Sequence, residues 1–213
     1  MKKVLIITIT RNRLETTKKF IKELREKAGY DFKQIVVDNG SKDGTVEWLK
    51  ENGFEVVENK ENVGIIKAWV QGVNYARSQG FDADYIGKFD DDCKIETENI
   101  LASMMSFFLE NGDDYVIAPM DLNILPDYVP AKVRDEEKLG SFDVRITTHT
   151  GGMFTLMSKA VYDLMANQND GQGIDKDINR GGFWRQNGIF SVYLKKLKTY
   201  HEGIGKSPDG YKF

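Results

Sequence analysis

The sequence predicts an α/β fold: a mostly parallel central sheet flanked by helices. Three observations carry this. Strand-length apolar runs alternate with helical segments through the first 119 residues, the helical segments stop at glycine, and polar residues gather directly after the strands.

Taken in order, "KVLIITIT" (Lys3–Thr10) reads as a buried strand. "LETTKKFIKELREKAG" follows, with Leu14, Thr17, Phe20, Ile21, Leu24 and Ala28 on one helical face and Gly29 as a stop. "KQIVVD" is a second strand ending at Asp38, "GTVEWLKENG" a short helix closed by Gly53, and "FEVVEN" a third strand. A helix covers roughly Gly64–Gln79, and "DYIGKFD" is the fourth strand. Thr97 is the expected N-cap of "ENILASMMSFFLENG", and "DYVIAP" is the fifth strand. Three of the four prolines, Pro119, Pro126 and Pro130, then break the rhythm, so Met120–Ser141 reads as loop-rich. Beyond it lie a glycine pair, a helix near Ser158–Ala166, an acidic glycine-containing loop and a last strand near Leu197–His201. The tail "GIGKSPDGYKF" is expected to be mobile.

Composition bounds the function. A chain of 213 residues, 40% apolar and 30% charged, suits one globular domain with a real core. A net charge of −3 gives no global pull toward nucleic acid. The single cysteine, Cys93, forms no internal disulfide, which fits a reducing compartment. The N-terminal apolar run is short and threonine-containing, without a small-residue cleavage site, and "ILASMMSFFL" is half the length of a membrane span. The expected location is cytoplasmic, with attachment to a membrane surface left open.

In open parallel sheets ligands bind beyond the carboxyl ends of the strands. That rule selects Thr10–Arg13, Asp38–Gly44, Glu58–Gly64 and Asp90–Asp92. "VVDNGSKDGT" joins a strand-end aspartate to a turn of Asn39, Gly40, Ser41 and Gly44. Both G-x-x-x-x-G-K-[ST] and G-x-G-x-x-G are absent, which weakens the kinase, ATPase and dinucleotide readings. "FDDDC" is the sharpest feature. Two unit charges about 4 Å apart repel by about 4 kcal/mol at an effective dielectric near 20. Three adjacent carboxylates therefore form either a solvated helix-capping turn or a seat for a hard divalent cation, Mg²⁺ or Mn²⁺. An aspartate-nucleophile phosphatase would carry D-x-D-G-T on its first strand, whereas this run ends the fourth and has Lys94 in the fifth position.

The ordered set "ITRNR", "VDNGSKDGT", "ENVGIIKAW" and "YIGKFDDDC" resembles the nucleotide-binding half of the family 2 glycosyltransferases, inverting enzymes of the GT-A fold. The likeness covers Lys3–Cys93 closely and extends loosely to His201. It implies a single GT-A domain over residues 1–213, with a nucleotide-binding half (1–119) and an acceptor and catalytic half (120–213). It further implies a nucleotide-sugar donor, UDP-sugar by default, and Mn²⁺ or Mg²⁺ as cofactor.

By the resemblance, Thr10, Arg11 and Asn12 lie against the base, with Arg11 where the family usually has an aromatic or small residue. Asp38, with Asn39 beside it, reads the base edge. Asn62 and Gly64 form the N-x-G turn near the nucleotide, and Lys67 approaches the diphosphate. Asp90 and Asp91 lie beside the nucleotide; Asp92 binds the metal, with Asp90 and His201 as further candidates. "THTGGMFTLMS" lies beside the sugars, so His149, Gly151 and Gly152 are candidate donor or acceptor contacts, and Trp184 a platform beneath a ring. In "GIDKDINRGGFWRQNG", Asp175 and Asp177 compete as the base that deprotonates the acceptor hydroxyl. Counting back from Gly188 favours Asp177, the D-x-D pattern favours Asp175, and Asp177 is preferred. The family's usual Glu-Asp pair is absent there.

Two other classes stand beside this one. A non-catalytic relative would bind nucleotide-sugar or glycan without turnover. A sugar nucleotidyltransferase would carry a glycine-rich loop after its first strand, and "TITRNRLE" has no glycine. The acceptor is left open among a glycan, a lipid-linked sugar, a protein and a modified nucleic acid, as is the oligomeric state.

Overall fold

Alternation along the first strand fixes the layers of the molecule. In β1 (Val4–Thr10), Val4 and Ile6 face one apolar cluster while Leu5, Ile7 and Ile9 face another, as the period of two requires. The computed structural model describes residues 1–122, 133–148, 150, 153–167 and 184–202.

The first cluster takes α1 (Leu14–Lys27) and α4 (Ile100–Asn111), with Leu49 from α2 (Thr45–Glu51). The second takes α3 (Ile65–Ser78) and α5 (Lys159–Asn167). α3 sits very close to the sheet. A Cβ at Gly72 would lie 2.9 Å from Cγ2 of both Ile7 and Val37, so only glycine fits there.

β2 (Lys33–Asp38), β3 (Glu55–Glu58) and β4 (Tyr85–Phe89) join β1 in parallel, in the order β3-β2-β1-β4. Beyond β4 the sheet turns mixed. β9 (Phe154–Ser158) runs antiparallel between β4 and β6 (Tyr115–Asp121). β10 (Phe190–His201) then lies parallel to β6 and antiparallel to β8 (Phe142–Thr147), and β7 (Val133–Leu139) closes the edge. The expected mostly parallel sheet is thus parallel throughout only in its first half and mixed beyond β4, where β6 and β10 are the parallel pair.

Several expectations are corrected here. The loop-rich Met120–Ser141 segment contains β7, which pairs with β8 around Gly140 and Ser141. β6 continues through Pro119 to Asp121, and β10 begins seven residues before the expected Leu197. Thr97 does not cap α4: Asn99 occupies that place in a left-handed conformation, and Thr97 Oγ1 accepts the Lys198 N–H at 2.8 Å. Among the described residues no helix is long and apolar enough to cross a membrane. The tail from residue 203 lies outside the described residues.

Candidate active site

The carboxyl ends of β2 and β4 flank that of β1, so Asp38 and the acidic turn stand two strand spacings apart, about 10 Å. Asp38 is buried, and the loop it begins wraps around it. Its Oδ2 accepts the N–H groups of Gly40 (3.0 Å) and Ser41 (2.9 Å), a turn that needs Gly40 at φ +82°. Its Oδ1 is buried with no hydrogen-bond partner. A buried acceptor left without a donor costs about 1–3 kcal/mol.

Neighbouring loops are stapled together around this point. Asn12, at φ 49°, donates its N–H to Ser41 Oγ (2.8 Å) and accepts the Lys42 N–H on its side-chain oxygen (2.8 Å). Asp43 accepts from the N–H groups of Leu14 (3.0 Å) and Thr45 (3.2 Å), fastening the starts of α1 and α2 to one carboxylate. Behind Asp38, Asn59 and Gln71 exchange amide hydrogen bonds, and Asn59 donates to Asn39 at 3.1 Å. Asn62 accepts the Gly64 N–H at the start of α3, and Lys67 is exposed on that helix.

The acidic turn carries its own cations. Lys88, buried on β4, pairs with Asp90. Arg13 Nη1 touches Asp92 Oδ2 at 2.6 Å and Asp91 Oδ1 at 3.1 Å. Thr17 of α1 donates to Asp91 Oδ2 at 2.9 Å and shares a 2.8 Å hydrogen bond with Thr10. His201 Nε2 lies 3.3 Å from Asp92 Oδ1. That histidine is placed by β10, which pairs antiparallel with β5 (Cys93–Ile95) so that His201 stands opposite Cys93, while Glu202 N–H donates to Asp92 O at 2.8 Å. β5 is also gripped by α1, where Glu23 accepts the Ile95 N–H at 2.9 Å.

These contacts set the local charge. Burial pushes the Asp91 carboxyl up, and the Asp92 charge adds to it; Arg13 and the threonine hydroxyls oppose, leaving it at about 6. Burial also works against Asp92 ionisation, but His201 and Arg13 outweigh it and hold that carboxyl below its ordinary value. Burial disfavours the His201 imidazolium, yet contact with Asp92 and the charges of Asp90 and Asp121 raise its pKa overall.

The expected site residues therefore divide. Asp90, Asp92 and His201 gather at the acidic turn, while Asp38 and Asn39 stand at the end of β2 on the same edge of the sheet, with Thr10 and Asn12 as buried or loop-stapling neighbours. Asp91 turns toward Thr17 under α1 rather than toward the strand ends. Trp184, expected as a platform for a sugar, is instead 3% exposed and packed in the core cluster of α3 and α5, where apolar burial claims the ring. His149, Gly151, Gly152, Asp175 and Asp177 lie outside the described residues. Two participants carry no individual role in the sequence reading: Lys88, and Arg13, which lies in the Thr10–Arg13 segment that the carboxyl-end rule selects. Lys88 had a signal: a lysine two positions before Asp90 in an otherwise apolar strand shares its face.

A model described as glycosyl transferase family 2 matches residues 5–169. The chain belongs to that family. No protein of curated function matches it significantly. Among solved structures, the mannosyltransferase PcManGT from Pyrobaculum calidifontis, in complex with GDP-Man and Mn²⁺, superposes with a TM-score of 0.69 at 14% identity. That match covers 96% of this chain and 58% of the mannosyltransferase. S. aureus TarS 1–349 in complex with UDP-GlcNAc gives a TM-score of 0.62 at 16% identity, covering 94% of this chain and 58% of TarS. The chain thus spans less than two thirds of the length of these solved structures, and shares their GT-A fold.

Among the described residues no group of three His, Cys, Asp or Glu side chains is arranged to hold a metal. Asp90 is tied to Lys88 and Asp92 Oδ2 to Arg13, which leaves Asp92 Oδ1 and His201 Nε2 facing each other. Such an oxygen–nitrogen pair fits a borderline divalent ion that takes its remaining ligands from elsewhere.

Proposed function

We propose that this glycosyltransferase moves a sugar, with inversion, from a nucleoside-diphosphate donor to an acceptor hydroxyl, with a UDP-sugar as donor. The observation that carries the reading is the pairing of an unsatisfied carboxylate oxygen at the end of β2 with a cation-rich acidic turn at the end of β4. The first wants an N–H donor, such as the imide of a uracil ring. The second manages charge at the distance a diphosphate would reach.

In this reading Asp38 Oδ1 accepts a base N–H, while its Oδ2 keeps the 39–41 turn closed around the base. Asn39, held by Asn59, follows Asp38 in the chain and joins Arg11 and Asn12 as a further contact to the base. Lys88 fixes Asp90 against the ribose side. Asp92 and His201 would hold Mn²⁺ or Mg²⁺, which when bound would supply Lewis-acid stabilisation of the departing nucleoside diphosphate. Asp91 acts from beneath, buttressing the turn through Thr17 and Arg13. Asn62 and Gly64 shape the approach to α3, and Lys67 offers a cation to the diphosphate. Asp177, with Asp175 as the alternative, removes the acceptor proton as its oxygen attacks the anomeric carbon. His149, Gly151 and Gly152 border the sugar.

A thermal-shift panel of nucleoside diphosphates and nucleotide-sugars, with and without Mn²⁺, tests this. A ligand at about 100 times its dissociation constant adds about 2.7 kcal/mol of stability, so the donor should raise Tm by several degrees, and more with metal. No shift with any nucleoside diphosphate in the presence of Mn²⁺ would remove the proposal. Transfer unaffected by both Asp175→Asn and Asp177→Asn would remove the base assignment.

A further inference from the structure

Arg13 touches two of the three carboxylates in the acidic turn through one guanidinium nitrogen. Its backbone is anchored on both sides. Asn12 before it is stapled to Ser41 and Lys42, Leu14 after it donates to Asp43, and Arg13 O accepts the Thr17 N–H at 2.8 Å. The Arg13 side chain as a whole is 24% exposed, so a fixed backbone carries a partly exposed side chain. An arginine is charged at every working pH, so this cation is permanent. The oxygen it holds, Asp92 Oδ2, belongs to the carboxylate whose other oxygen faces His201.

We infer that Arg13 is a resident counter-ion that competes with a divalent cation for Asp92, so that metal binds tightly only together with a diphosphate able to draw the guanidinium away. Arg13 acts here through Asp92 and is a positioning residue. The inference rests on the nucleotide-sugar reading for the identity of the incoming anion, and on this chain's own ion pairs for the competition.

The physical argument has two halves. A bare divalent ion approaching Asp92 meets a carboxylate already neutralised on one side and a positive charge within a few ångströms. At about 5 Å, a unit charge and a divalent charge repel enough even in bulk water to weaken binding about tenfold. A diphosphate changes the balance, because guanidinium pairs with phosphate oxygens as readily as with carboxylate, often in bidentate fashion. Once Arg13 had a phosphate partner, Asp92 Oδ2 would be released, and that carboxylate would be free to favour a cation beside the same phosphate. Metal and nucleoside diphosphate should therefore strengthen each other's binding, and reciprocally by the same factor.

The test measures Mn²⁺ binding by electron paramagnetic resonance, alone and with UDP, in the wild type, Arg13→Gln and Arg13→Lys, after circular dichroism confirms folding. Gln keeps a hydrogen-bond donor but removes the charge. Arg13→Gln should bind Mn²⁺ alone about tenfold more tightly than the wild type, and UDP should enhance its Mn²⁺ binding less. Arg13→Lys, which keeps the charge, should stay within about threefold of the wild type. Mn²⁺ binding to Arg13→Gln that equals or falls below the wild type, absence of binding in both included, overturns the inference; so does an equal gain in Arg13→Lys. A purely structural role predicts loss in Arg13→Gln, the opposite sign. If Arg13→Gln does not fold, Arg13→Met, which keeps the aliphatic stem without the charge, takes its place and the same outcomes decide. Failure of the donor reading looks different, since UDP and GDP would then leave the wild type unchanged while Mn²⁺ alone still favoured Arg13→Gln.

Discussion

The two strand ends beside β1 handle negative charge in opposite ways. At the end of β2, one carboxylate keeps an oxygen unsatisfied while backbone N–H groups hold the other. At the end of β4, three carboxylates are matched to a lysine, an arginine, a threonine and a histidine. The first is a buried turn with an unsatisfied acceptor, proposed above as the socket for a base; the second is an acidic turn already neutralised by its own cations. Affinity at the socket is expected to come from filling a missing hydrogen bond. At the acidic turn it comes from exchanging one cation for another.

Substitutions can break or sharpen this contrast, the largest effect first. Lys88→Met strips the buried counter-ion from Asp90, and losing one partner of a buried pair costs about 3–5 kcal/mol. Urea denaturation should show that loss, and Lys88→Met combined with Asp90→Asn should recover most of it. A loss below about 1 kcal/mol would mean that Asp90 is solvated and the turn is not neutralised from within.

At the socket the expected effect is smaller and falls on binding. Asp38→Asn can still hold the Gly40 and Ser41 N–H groups with its carbonyl, but turns an NH₂ toward the place of the unsatisfied oxygen. A hydrogen bond to a charged group contributes about 1.5–3 kcal/mol, so UDP affinity by calorimetry should fall about 10- to 100-fold while Tm changes by only a few degrees. An unchanged affinity would show that the base is read elsewhere.

Asp43, which joins the loops between the two ends, should give the smallest effect. Asp43→Ala removes acceptors at the starts of α1 and α2 and should cost about 1 kcal/mol by thermal denaturation. Burial works against its ionisation, but hydrogen bonds from Thr45 and Leu14 hold its carboxyl below the ordinary range. The sign follows. The stabilisation is present above the unfolded pKa, about 4, and is lost as pH falls through the lower folded value. The difference in stability between wild type and Asp43→Ala should therefore shrink in acid, and a difference that grew there would contradict the assignment.

Much of the first half was legible because each local signal agreed with its neighbour. The periodicity of Leu14–Ala28 placed Phe20, Ile21 and Leu24 in the core, and the strand ending at Asp38 ended there. The second half concealed itself for physical reasons. Five of the seven residues of β7 are charged, as suits an exposed edge strand, so no apolar alternation announces it. β5 is three residues long and exists by pairing with β10 and by the grip of Glu23. β10 is interrupted by Lys195, Lys196 and Lys198 around its irregularity, which hid its first seven residues. For the site, motif spacing located Asp38, Asp90 and Asp92. The carboxyl-end rule put Arg13 on the same edge as the acidic turn, but sequence does not give the strand order that makes β1 and β4 neighbours and so pairs Arg13 with Asp91 and Asp92.

The break in register between Leu194 and Lys198 has a wider consequence for β10. Downstream of it, side chains alternate between the two faces of the sheet, and that phase presents His201 to Asp92. Lengthening or shortening the irregular stretch by a single residue would swing the imidazole to the opposite face and deliver Tyr200 or Glu202 in its stead. The chemistry beside Asp92 can thus be rewritten by an indel six residues away, with no codon at the site itself altered.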